Sequence, residues 1–542
     1  MSGHLFDVLP AAGKGAPPFA DARAAREWLK LLPLINTPLA HADLSEALAS
    51  MNASTLPPLD KLKTLEQFRD TIHQVQEDWQ KSILGKPLPL SQTEHAHWQA
   101  MLQLWQLCRD GYAGCWRAAA VGDASVAQYQ ALLAERSLYY GLQMVMSYAL
   151  VYLLVPQDCW NQLFVHYRLA LQSGLASERV RDSRSSANGI SSCDSQFIQT
   201  LLFASSNPQQ LSQRQQQWLH PVLETLAPRT RLASDAAAPG KFDPLRINLD
   251  TPAPPQRRTD ASETEGQVLG IDTLQLAQSL IKRIKLLRQG ETPQQLGLGS
   301  TLSAEAAEQL LRELYRHWCE HPGDRKLPRK QKQSSLQLAS SGLSNQHQWL
   351  AQGRYAPPPV QNNPVYGNRD LLEIQMFGQT TTRFVAPAVS NPILEEWELL
   401  DESVLGLRLQ RAIGGQRLQL QQLLTVQLES QRLCGSVRWL EIGDELVTIG
   451  IRLLPGLPSA AAARTIEAVR LGQEGYTSVI LLPAMPALKE PLSLVQPLGW
   501  FRQGRVLELW DGQGMHKLRM QRILERGCDY ERIHIVPAGS NT

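Results

Sequence analysis

Near residue 322 the spacing of apolar side chains changes from three or four positions to two. A helix repeats about every 3.6 residues and a strand about every 2, so one regular element cannot serve both spacings. The chain must therefore segregate its helices from its strands, which predicts an α+β protein. Residues 20–232 read as helices. "ADARAAREWLKLL", "LEQFRDTIHQVQEDWQKSIL" and "CWNQLFVHYRLALQSGL" all carry the helical spacing. Successive helices of this kind predict a bundle or an irregular helical array over 1–233.

At 234–266 the composition shifts to prolines, small residues and charges, as expected of a linker. "LRINL" within it could form a short strand. A helical pair follows over 267–321: "IDTLQLAQSLIKRIKLLRQ" and "SAEAAEQLLRELYRHWCEH". Ser303 is placed to cap the second helix, with Glu305 in its first turn.

Beyond 322 come short alternating runs: "SSLQLAS", "DLLEIQMFG", "EWELLDES", "LGLRLQR", "LLTVQLES", "GSVRWLEIG" and "ELVTIGIRLL". Turn residues separate them, and an antiparallel barrel over 322–458 explains the pattern. A loose stretch near 351–395 reads as an insertion. The tail, 459–542, holds further strand runs, "TSVILLPA", "GRVLELWDG" and "HKLRMQRIL". They predict a β-rich extension that enlarges the barrel or forms a small second one.

Composition narrows the classes of function. The 542 residues carry a net charge of +2, so no strong global field draws the chain to nucleic acid. Seven cysteines are scattered singly, with no Cys-x-x-Cys pair, which fits reduced cytoplasmic thiols better than a disulfide framework. Residues 137–157, "SLYYGLQMVMSYALVYLLVPQ", carry no charge and are long enough to span a bilayer. Gln143, Ser147 and the tyrosines interrupt the run and no basic cluster flanks it, so a buried helix is expected and no membrane span.

Several constellations read as ordinary structure. His317, Cys319 and His321 lie near a helix end. Two of them could share a face, but no third ligand follows and no metal site is expected. "SLIKRIKLLRQ" sets Lys282, Arg283, Lys285 and Arg288 around an apolar stripe, a solvated face that could meet a partner or anionic lipid. No Gly-x-Ser-x-Gly elbow occurs and no catalytic residues are assigned.

One stretch asks for more. In "WELLDESVLGLRLQ", residues 397–410, two half-strands flank a polar break holding Asp401, Ser403 and Gly406. A carboxylate and a hydroxyl two residues apart can accept and donate hydrogen bonds to a base edge. Glycine permits a bend or the close approach of a flat ligand. Upstream, Arg325 and Arg329 stand four apart, with Lys330 beside them.

The Asp-x-Ser-x-x-Gly spacing resembles the signature of the PilZ family of cyclic di-GMP receptors, which pairs it with an upstream Arg-x-x-x-Arg at the mouth of a barrel. "CGSVRWLEIGDELVTIGIRLL" also resembles a later hairpin of that family. The likeness covers about 322–458 and does not extend to the helical part. It implies a PilZ-like barrel and a cyclic di-GMP site made of Arg325, Arg329, Lys330, Asp401, Ser403 and Gly406. It also implies a ligand rather than a cofactor, and a cytoplasmic bacterial receptor, not an enzyme. Such a receptor would act on a protein partner through the helical region, in surface motility, pilus, flagellar or biofilm control. The alternative is a helical interaction scaffold whose barrel binds no nucleotide. About seventy positions separate Arg329 from Asp401, and "QKQSSLQLASSGLS" is poor in large apolar residues for a barrel strand.

Overall fold

The computed structural model describes residues 15–185, 189–240, 243–257, 266–320, 329–352, 356, 358, 391–466 and 475–539. It forms two compact units, Met1–Lys326 and Leu327–Thr542. The first is built of α1 (Ala22–Leu29), α2 (Thr37–Asn52), α3 (Pro58–Gln80), α4 (Gln92–Ala120), α5 (Gln130–Leu150), α6 (Gln157–Gln172), α7 (Cys193–Ser205) and α8 (Gln213–Leu226). A two-stranded ribbon, β1 (Val180–Arg181) and β2 (Ile190–Ser191), connects α6 to α7.

The uncharged run at 137–157 supplies most of α5 and then leaves the helix. α5 packs against α4, α6, α7 and α8. Tyr139, Tyr140, Leu142, Met144, Val145, Ala149 and Leu150 are all buried, so the lack of charge follows from neighbours on every side. Its serine hydroxyls turn back on the helix: Ser137 donates to the Leu133 carbonyl at 2.8 Å and Ser147 to the Gln143 carbonyl at 2.7 Å. Among the described residues no helix is long and apolar enough to cross a membrane.

The proline-rich stretch is not all loose chain. β3 (Arg231–Ala233), β4 (Arg246–Asn248) and β5 (Val268–Asp272) form a small antiparallel sheet, and "LRINL" supplies β4. α9 (Leu274–Arg288) and α10 (Ala304–Cys319) then pack together as a helical hairpin. Ser303 caps α10 by accepting a hydrogen bond from the Ala306 amide. His317 meets Asn207 at 3.0 Å and Cys319 is buried. His321 lies outside the described residues.

The second unit holds two closed six-stranded antiparallel barrels. The first comprises β6 (Lys330–Ala339), β7 (Glu395–Ser403), β8 (Gly406–Ala412), β9 (Leu423–Leu428), β10 (Gln431–Ile442) and β11 (Leu446–Leu453), ordered β10-β11-β8-β7-β6-β9. The apolar-poor β6 is a full member. It pairs with β7 along most of its length and closes the barrel on β9 through Leu338 and Val426. Only Leu336, Leu338 and Ala339 of β6 are buried hydrophobics, enough for one short stretch of inner wall. "DLLEIQMFG" and most of the 351–395 stretch lie outside the described residues.

The tail closes as a barrel of its own. It comprises β12 (Ser459–Thr465), β13 (Thr477–Leu482), β14 (Ser493–Gln496), β15 (Val506–Trp510), β16 (Met515–Arg526) and β17 (Glu531–Pro537). β12, "SAAAART", has no large apolar residue and escapes the sequence pattern, because alanine has little strand preference of its own. Ala461 and Ala463 point into a core with Val479, Leu494, Leu509 and Ile533. A helix absent from the sequence reading, α11 (Gly342–Ala351), lies against β6 and β9 of one barrel and β12 and β13 of the other. Leu350, Leu423, Cys434, Leu454, Ile480, Val495 and Tyr530 form one apolar seam there. Each fully buried leucine-sized side chain contributes about 1.5–3 kcal/mol, so this seam helps hold the two barrels together.

Candidate ligand-binding site

The quoted stretch is a tight hairpin. Ser403 pairs with Gly406, leaving Val404 and Leu405 as the two-residue loop, both exposed. The break is therefore shorter than the sequence suggests: Asp401 and Ser403 belong to the end of β7, not to the turn.

A bulge decides where Asp401 points. Trp397 and Leu399 face the barrel core, and strict alternation would send residue 401 there too. Leu399 pairs with Leu409, yet Asp401 pairs with Arg408, so one extra residue is inserted on β7. The bulge turns the following side chain to the outer face. Arg408, flanked by the buried Leu407 and Leu409, is on that same face.

The register then lines up one rung across four further strands. Gln331 of β6 stands opposite Asp401, Arg408 opposite Gly450 of β11, and Gly450 opposite Trp439 of β10. A Cβ on Gly450 would lie 1.8 Å from the Trp439 indole nitrogen, so the ring lies across the glycine. The Arg408 guanidinium sits 5.9 Å from the centre of that ring. Local spacing assigns neither Trp439 nor Arg408 to the site: "Val-Arg-Trp" is visible in the sequence, but only strand register brings it to the rung of Asp401.

Arg329 reaches this rung from the residue before β6. Its Nη1 lies 2.7 Å from Asp401 Oδ1. The Arg329 side chain is 32% exposed and Asp401 14%, so the pair is open to a ligand from outside. Lys330 is exposed and pairs through its backbone with Glu402. Lys332 adds a second cation, 3.7 Å from Glu402 and 3.3 Å from Glu429. Ser403 Oγ donates to the Gly406 carbonyl at 3.2 Å, bracing the hairpin. Gly406 is required by close approach: a Cβ there would be 2.7 Å from the Ile451 carbonyl oxygen. Arg325 lies outside the described residues. Of the six candidates, the fold brings Arg329 and Asp401 into direct contact. It sets Ser403 and Gly406 at the end of the same hairpin, and Lys330 beside it.

The arrangement offers exposed guanidinium and ammonium groups for phosphate, a carboxylate for base N–H groups and an aromatic face for stacking. Among the described residues no group of three or more His, Cys, Asp or Glu side chains could hold a metal ion.

Comparison with known proteins brings in a relative. Residues 23–237 match the family described as "Cyclic-di-GMP receptor FimW, N-terminal domain", and residues 461–537 match the FimW C-terminal beta-barrel domain. Two of this chain's parts are FimW-like. The chain is also 27% identical over 364 residues to the cyclic-di-GMP receptor FimW of Pseudomonas aeruginosa. That alignment covers 65% of this chain and 57% of FimW's own length. The FimW N-terminal match falls on the helices α1–α8 with the ribbon and β3, and the C-terminal match on the second barrel. Neither matched stretch contains the first barrel, where Arg329 meets Asp401.

Proposed function

We propose that this chain is a cyclic di-GMP receptor whose nucleotide site is the outer rung of the first barrel. The observation that carries the reading is the 2.7 Å contact between Arg329 and Asp401, because it joins the two separated halves of the PilZ-like signature. The similarity to FimW, named as a cyclic-di-GMP receptor, also supports it, and the two family matches do so through parts of the chain outside the first barrel.

In this reading the resting ion pair is a placeholder. A phosphate of the ligand takes the Arg329 guanidinium, as arginine binds phosphate through parallel N–H bonds. Asp401 is released to accept from the N–H groups on a guanine edge, with Ser403 and the hairpin backbone beside it. Arg325 and Lys330 supply further positive charge, and Gly406 keeps the hairpin close to β11. Arg329 follows Lys326, the last residue of the helical unit, by three positions. Ligand capture there, close in sequence to the helical unit, would report to a protein partner of that unit through its differential affinity for two states. Control of pili, flagella, surface motility or biofilm is the output we expect.

Isothermal titration of the folded full chain with cyclic di-GMP tests the reading. Heat that is lost in Arg329→Ala and Asp401→Ala supports it. No heat from wild type would leave the scaffold reading, in which Asp401 and Ser403 only brace a hairpin and the helical region carries the function.

A further inference from the structure

α9 and α10 leave an open groove of about 460 Å³ between them. Its apolar part comes from Ile281, Ile284 and Tyr315, and Ile281 is 53% exposed. Lys285, Arg288, Arg312 and Arg316 line it, against one lining carboxylate, Glu320. Arg288 and Arg312 converge on Glu308, at 2.6 and 2.5 Å, which holds both guanidinium groups in place along the groove. Among the described residues, neither Lys285 nor Arg316 forms an ion pair.

The spacing matches a helix as occupant. Ile281, Lys285 and Arg288 follow one face of α9, and Arg312, Tyr315 and Arg316 follow one face of α10, with Glu320 just past its end. Two antiparallel helical walls with an apolar floor accept a third helix by its apolar stripe. Lys285 and Arg316, one on each wall and outside the Glu308 pairs, call for carboxylates flanking that stripe. A lipid surface fits less well, because a flat bilayer meets a convex apolar face and this surface is concave.

We infer that the α9–α10 groove is the docking site for an acidic amphipathic helix of a partner protein. The inference deepens the proposed receptor function by giving the partner its chemistry, and it rests on that reading only for the link to nucleotide.

Photo-crosslinking tests it. The full-length protein carries p-benzoyl-phenylalanine in place of Ile281 and is irradiated in its native cell. Adduct peptides are then sequenced by mass spectrometry. We expect adducts on a segment with apolar residues at helical spacing and an excess of Asp and Glu. Adding Lys285→Glu with Arg316→Glu should cut their yield at least tenfold, with an unchanged circular dichroism spectrum and unchanged cyclic di-GMP titration. Adducts to neutral or basic segments, adducts to phospholipid, no adduct, or a yield indifferent to charge reversal would each overturn the inference. Acidic adducts from a protein that shows no heat with cyclic di-GMP would keep the groove and remove the nucleotide reading.

Discussion

Arg69 grips Asp182 with both guanidinium nitrogens, at 3.0 and 3.1 Å, and the two side chains are almost sealed from water. Arg136 adds a third hydrogen bond to the same carboxylate at 2.9 Å and is itself paired with the buried Glu135 at 2.6 Å. This cluster ties the β1–β2 connection to α3 and α5. Burial pushes the Asp182 carboxyl up, but the Arg69 hydrogen bonds and the Arg136 and Arg69 charges outweigh it and hold it below the usual carboxylate range.

Removing that carboxylate leaves two buried guanidinium groups without their shared counter-charge. Asp182→Ala should destabilise the helical unit by about 3–5 kcal/mol, the usual cost of breaking a buried pair from one side. Urea denaturation followed by tryptophan fluorescence reads the change. A loss under about 1 kcal/mol would mean that water enters and rehydrates the arginines.

The same group sets an acid dependence. Its folded pKa is depressed, so its contribution is present above the unfolded carboxylate value and lost as pH falls through the folded one. Wild type should therefore lose stability on the acid side through this pair. Asp182→Asn should show a shallower acid decline and be less stable at pH 7. Parallel slopes below the carboxylate range would contradict this.

Asp529 works in the opposite sense. Burial raises its carboxyl to about 6, although it accepts the Leu423 amide at 2.9 Å across the seam between the barrels. The folded state then holds a proton that the unfolded state has released. Stability should fall as pH rises from about 4, the unfolded value, to about 6, the folded one. Asp529→Asn keeps an acceptor for Leu423 and removes the charge. It should be more stable than wild type at pH 7, by on the order of 2 kcal/mol, and similar to it at pH 4. Thermal melts at the two values decide it.

Binding and stability should separate at Arg329. Its pair with Asp401 is partly exposed, and such pairs contribute about 0–1 kcal/mol to folding. Arg329→Ala should leave the melting temperature nearly unchanged yet weaken cyclic di-GMP by about 1.5–3 kcal/mol, the loss expected for a charged hydrogen bond. Equal affinity in the variant would remove Arg329 from the site.

Gly450→Val should expel the Trp439 indole from its resting place, since even a Cβ there would lie 1.8 Å from the ring nitrogen. Overpacking of this kind costs about 1–3 kcal/mol. Near-ultraviolet circular dichroism should report the moved ring, and nucleotide affinity should fall if the indole forms the floor of the site. An unaltered spectrum would show that the sheet yields instead.

Local pattern alone was enough for the helical first part, the strand-rich remainder and a turn near Gly406 between two strands, though not for the place of Asp401 and Ser403 inside β7. Each depends on periodicity or turn chemistry within a few residues. Tertiary packing decided the rest. β12 is a strand because Ala461 and Ala463 fit a narrow barrel interior, not because alanine favours extension. α11 exists where two barrels share an apolar seam, and its own sequence has no strong amphipathic signal. The bulge after Leu399 and the register of five strands put Asp401, Arg408, Gly450 and Trp439 on one outer rung. A distance of 2.7 Å between residues 72 positions apart is a property of barrel closure through β6, which no local spacing encodes.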